Sequence, residues 1–102
     1  MKDYTTEINA AIRTLGSIAL DESKRVCPVR TGRLKRSIAL RTQHDRARNS
    51  DTCVIGTDVP YAPDVEFGGR GRRPKPFLET GLETARKSVP VIFSLFMKGE
   101  RR

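Results

Sequence analysis

A chain of 102 residues with 36% hydrophobic content, four Phe, two Tyr and no Trp has room for one domain with a thin core and for no second one, since single domains usually run to about 100–150 residues. Twenty Lys and Arg against twelve Asp and Glu give a formal net charge of +8, so the surface attracts polyanions or acidic protein faces. The opening Met1-Lys2-Asp3-Tyr4-Thr5-Thr6-Glu7 lacks the apolar stretch of a signal peptide, and no window approaches the ~18 apolar residues of a membrane span; neither secretion by a signal peptide nor membrane insertion is expected.

Ile8, Ile12, Leu15, Ala19 and Val26 fall in one arc at ~100° per residue, which predicts an amphipathic helix over residues 4–26. Pro28 stops it, because proline lacks the amide that would continue the ladder and disfavours helical angles at the residue before it. Gly32 then permits a chain reversal, and Thr31 is expected to accept a hydrogen bond from a following amide and open a short helical turn, from which Leu34 and Ile38 return to the core. Residues 37–43 alternate Ile38 and Leu40 with Ala39 and Arg41, and residues 52–57 carry Cys53, Val54 and Ile55; both read as strands of a hairpin linked by residues 44–51.

From 56 to 76, Gly56, Pro60, Pro63, Gly68, Gly69, Gly71, Pro74 and Pro76 leave only Tyr61 to Phe67 free for a short helical turn, with Arg70-Gly71-Arg72-Arg73 as an exposed, mobile loop. A second long helix is expected over 76–98, with Leu78, Leu82, Ala85, Val89, Phe93 and Phe96 towards the core. Pro90 should kink it or split it into two shorter helices. Beyond Pro90, Val91 to Met97 is apolar around most of the helix circumference, more than one core-facing stripe uses, so part of it is expected to meet another subunit. The fold class is α+β: a small, mostly antiparallel sheet packed by a long N-terminal helix and a kinked C-terminal helix, forming one domain over 1–102.

Charge is unevenly placed. Residues 24–48 hold nine basic side chains against one acid, Asp45, a local charge of +8; the remaining eleven basic and eleven acidic residues cancel. Arg41, Arg46 and Arg48 in the hairpin suit non-specific phosphate contacts, an acidic neighbour or simple solvation equally well. No aromatic side chains interleave with the basic stretches, which disfavours base stacking. Cys27 and Cys53 match no metal or haem spacing, and reduced thiols are the simpler reading. The sole histidine, His44, sits in a polar link with no motif placing a nucleophile beside it and is expected to be an ordinary solvated residue. No metal, no cofactor and no enzyme activity are expected. Glu66 among Tyr61, Val65 and Phe67 would need a nearby cation such as Arg33 or Arg73 if buried.

Three segments stand in order: Cys27-Pro28-Val29-Arg30-Thr31-Gly32-Arg33-Leu34 through Ile38, then Gly56 followed by Tyr61-Ala62-Pro63-Asp64-Val65-Glu66-Phe67-Gly68, then Arg73-Pro74-Lys75-Pro76-Phe77-Leu78 ahead of a terminal helix. In this order and spacing, over residues 25–90, they resemble the neck and tail-component family of long-tailed bacteriophages, whose members carry P-V-x-T-G-x-L-x-x-S, Y-A-x-x-V-E-x-G and P-F-L. Asp64, Gly69 and Thr80-Gly81 depart from residues common in that family. The resemblance implies a head–tail connector or tail-completion subunit, assembled in the host cytoplasm into a ring of six or twelve copies in the virion, through which genomic DNA passes, and touching portal, connector or tail proteins.

Pro28, Thr31, Gly32, Leu34, Tyr61, Glu66, Phe67, Pro76, Phe77 and Leu78 would define the fold. Arg70, Arg72, Arg73, Val91, Leu95 and Met97 are the expected subunit interface. Arg41, Arg46 and Arg48 are the expected lumen or neighbour contact. The rival reading is a small basic protein that binds nucleic acid without sequence specificity; a small hydrolase or toxin comes third, with no arranged site to support it.

Overall fold

The computed structural model describes residues 5–29, 32–69, 71 and 73–97, the last two by backbone alone. Thr31, Arg70, Arg72 and the Phe96 and Met97 side chains, assigned roles above, lie outside the described residues.

Helix α1, Thr5–Val26, carries Glu7 in its first turn and Lys24 and Arg25 in its last, each charge opposing the helix dipole. Pro28 follows its end, as proline chemistry dictates. Helix α2, Arg33–Ser37, starts on Gly32 at φ 82° with no side-chain cap, the Arg36 amide donating to the Gly32 carbonyl at 3.0 Å. Strands β1, Ala39–Asp45, and β2, Ser50–Gly56, form one antiparallel hairpin in the register Leu40↔Ile55, Thr42↔Cys53, His44↔Asp51. Its link shortens from the expected 44–51 to residues 46–49. The Asp45 carboxylate turns back to accept from the Ala47 and Arg48 amides, and Asn49 takes the left-handed φ of 50° that Asn tolerates. Helices α3, Ala62–Phe67, and α4, Phe77–Met97, complete the order.

The architecture is α+β with α1 at its centre. The hairpin lies on one side of α1 and α4 runs along another, so α4 packs chiefly on helix α1 and not on the sheet. The start of α4 joins the end of α1 in a core of Cys27, Leu34, Ile38, Val59, Ala62 and Phe77, which makes the two long helices antiparallel. Pro90 sits inside α4 without splitting it.

Having neighbours on two sides corrects the stripe expected for α1. Its buried positions are Asn9, Ala11, Gly16, Ala19 and Ser23, whereas Ile8 is exposed. A helix wedged between close neighbours buries small side chains where they approach: a Cβ on Gly16 would stand 3.0 Å from Cys53 Cβ and 3.2 Å from Leu40 Cδ1. The same holds for α4, whose packed face is Phe77, Gly81 and Ala85, while Leu82 and Val89, expected inside, are exposed.

Candidate functional site

The residues of the three ordered segments meet in one place. Leu34 and Ile38 from the first, Ala62 from the second and Phe77 from the third are all buried in the same cluster, with Tyr61, Val65 and Leu78 packed against it. Arg33 places its guanidinium 5.7 Å from the Tyr61 ring centroid, a cation–π geometry. Glu66 is buried, and its two carboxylate oxygens accept the Leu78 and Glu79 amides at 2.9 and 3.1 Å. The positive partner expected from Arg33 or Arg73 is therefore the N-terminus of α4, where unpaired amides and the helix dipole both favour a carboxylate. Pro76 precedes that helix and has no side-chain acceptor to offer it, which explains why a residue from α3 supplies the cap.

Phe67 corrects another expectation. It closes the second segment yet is 76% exposed. The inner face of α3 is set by Ala62, Val65 and Glu66, and at ~100° per residue Phe67 stands ~140° round from Ala62. That spacing was the available signal for its outward position.

The basic hairpin is held to α1 by a polar clasp. Asp51, whose side chain is 6% exposed, accepts from His44 Nδ1 at 2.6 Å and pairs with Arg13 Nε at 3.2 Å. Its amide donates to Asn9 Oδ1 at 3.0 Å, and Asn9 Nδ2 donates to the Asn49 carbonyl at 3.1 Å. His44 is exposed, as expected, and is in addition paired with a carboxylate. Arg41, Arg46 and Arg48 are exposed. Arg48 stands 3.9 Å from Asp45, and Arg41 lies opposite the exposed Val54 on the hairpin face turned away from α1.

The expected subunit interface is divided. Val91 and Leu95, four residues apart on one side of α4, are 61% and 65% exposed. Arg73 is also exposed but precedes Phe77, and about 27 Å of helix separates Phe77 from Leu95 at 1.5 Å per residue. Arg73 and the apolar helix end therefore belong to different surfaces.

Both cysteines are free thiols; burial pushes the Cys27 thiol up despite Lys35, which suits a packing member of the core. Arg25, bonded to Glu22 at 2.5 and 2.8 Å, holds that surface carboxylate below its usual range. Among the described residues no cluster of His, Cys, Asp and Glu is arranged to hold a metal ion, and no helix is long and apolar enough to cross a membrane.

Compared with known families, residues 2–68 match the one described as "Bacteriophage HK97-gp10, putative tail-component". No curated protein and no solved structure matches the chain. The matched region runs from α1 through α3 and stops before Pro76-Phe77-Leu78, so it covers the first two of the three ordered segments and leaves α4 outside. With about two thirds of its residues under that match, the chain belongs to the HK97-gp10-like family of bacteriophage tail components.

Proposed function

We propose that this protein is a structural subunit of the phage head–tail junction, a connector or tail-completion ring of six or twelve copies that works by binding and not by catalysis. The observation that carries the proposal is the uncovered apolar end of α4. Val91 and Leu95 project from a helix whose packed face is already occupied by α1. Isolated exposed apolar side chains are ordinary, but Val91 and Leu95 stand one turn apart on the same side of a helix end, which suits a surface that another protein covers. A stable interface buries about 1,200–2,000 Å² in all, with its apolar part at the centre, and this helix end is suited to be such a centre. The exposed Arg41, Arg46 and Arg48 would line the DNA passage or meet an acidic neighbour, and their contact with DNA would depend on charge alone.

Replacing Leu95 by Asp tests this. The variant subunit is expected to fold with an unchanged circular dichroism spectrum and to fail to enter particles; wild-type-like particles built with it would overturn the proposal.

The exposed hairpin arginines also favour a second reading, a free nucleic-acid-binding protein. That reading requires tight duplex binding by the isolated chain, weakening steeply as salt rises, whereas the junction reading requires weak binding or none.

A further inference from the structure

Phe67 is the most exposed large apolar side chain among the described residues, and the chain around it is firmly built. Past Phe67, the amides of Gly68 and Gly69 both donate to the Asp64 carbonyl, at 3.0 and 3.1 Å. Gly68 lies so close to Pro74 that a Cβ on it would come within 2.8 Å of the proline ring. The Lys75 amide then donates to the Val65 carbonyl at 2.8 Å. Residues 68–75 therefore leave α3 and return to it, an excursion closed at its base by backbone contacts.

Between those ends the sequence Gly68-Gly69-Arg70-Gly71-Arg72-Arg73-Pro74-Lys75 holds four cations and no acid. Arg73 and Lys75, at the closed base, are exposed. Of the nearby carboxylates, Glu66 is turned into the start of α4, and Asp64 lies over the beginning of the excursion, where a Cβ on Gly69 would meet its Oδ1. The result is an exposed phenyl ring at the end of α3 and two exposed cations, Arg73 and Lys75, on the segment whose backbone returns to that helix.

We propose that Phe67, flanked by Arg73 and Lys75, is an anchor for an acidic segment of a neighbouring virion protein. The ring would enter an apolar recess of the partner while the cations pair with carboxylates around it, the arrangement of an apolar centre within a charged rim. Charge decides the class of partner. Residues 68–75 hold four cations and no acid, so the surface facing them must supply carboxylates. DNA would satisfy the cations but gives an isolated phenyl ring no recess, and tracking a single strand requires successive aromatic platforms. This inference rests on the virion reading above and adds to it a contact distinct from the Val91 and Leu95 end of α4.

The test is photo-crosslinking in assembled particles of the source phage, with Phe67 replaced by p-benzoylphenylalanine and Ser17, exposed on α1, replaced likewise as a control. The expected result is a light-dependent adduct from position 67 to a different virion protein, at a peptide rich in Asp or Glu, with a yield about tenfold lower when Arg73→Glu and Lys75→Glu are added, because like charges then face each other. An adduct to a second copy or to DNA, or no adduct from particles that contain the chain, overturns the anchor and leaves the virion reading standing. Absence of the wild-type chain from purified particles overturns the virion reading and the anchor with it.

Discussion

Glu66 shows how much one side chain settles. Its carboxylate is buried yet bonded to two amides at the start of α4, so the cost of burying a charge is offset by donors that would otherwise be unpaired. Glu66→Ala should destabilise the protein by about 1–2 kcal/mol, the scale of losing a good helix cap. Glu66→Gln should cost less, since its amide oxygen still accepts one bond. Urea denaturation of both variants checks this ranking, and an unchanged midpoint for Glu66→Ala would show that α4 starts without the cap. Beside it, Phe67 contributes little to the core from its exposed position, so two consecutive residues of one motif do unrelated work, one inward and one outward.

The contact between α1 and α4 is made of small residues. Ala19 and Ser23 face Gly81, and a Cβ on Gly81 would collide with Ser23 Oγ and stand 2.5 Å from the Ala19 carbonyl oxygen. Gly to Ala inside a helix ordinarily gains about 1 kcal/mol from propensity. Here the sign should reverse: Gly81→Ala is expected to cost a net 1–3 kcal/mol or so, because the helices must move apart. Ser23 Oγ is buried with no hydrogen-bond partner among the described residues, so Ser23→Gly combined with Gly81→Ala should recover only part of the loss, the Ala19 carbonyl remaining in the way. Thermal melts of the single and double variants distinguish this from a simple propensity effect, under which Gly81→Ala would raise the midpoint. Close approach also explains the outward turn of Leu82 and Val89, since the face that meets α1 has no space for branched side chains.

Across the whole molecule, the hairpin is the part least tied to the core. Of β1, only Leu40 is half-buried, and the Asp51 clasp to Arg13 and His44, with the Asn9 bonds, joins the hairpin tip to α1. Asp51→Ala should loosen the hairpin while α1 and α4 stay packed. Hydrogen exchange is expected to accelerate at amides of residues 42–52 and to change little in the two helices. Equal acceleration everywhere would mean that the clasp holds the whole fold together. The same layout keeps three outward features on different elements: the arginines of the hairpin, Phe67 of α3 with Arg73 and Lys75, and the apolar end of α4. A subunit that touches several neighbours at once needs surfaces arranged apart in this way.

The succession of helix, turn, two strands, turn and helix is written in local chemistry. Helical spacing, the stop at Pro28, the strand alternation after Ile38 and the glycines and prolines of 56–76 act over a few residues, and so do the ordered segments through which the chain resembles its family. Burial is not local. Ile8, Leu82 and Val89 have the spacing of core residues and are exposed, while Gly16, Gly81 and Ser23 lie in the tightest contacts, because α1 has neighbours on two sides and periodicity states a direction without stating how close the neighbour comes. Glu66 found its partner in backbone amides that no sequence pattern displays, and His44 found Asp51 only through the hairpin register. The candidate surfaces divide the same way: the apolar excess after Pro90 could be read from composition, but the outward turn of Phe67 beside a closed basic loop required the return of Lys75 to Val65, a contact made only when the chain folds back on itself.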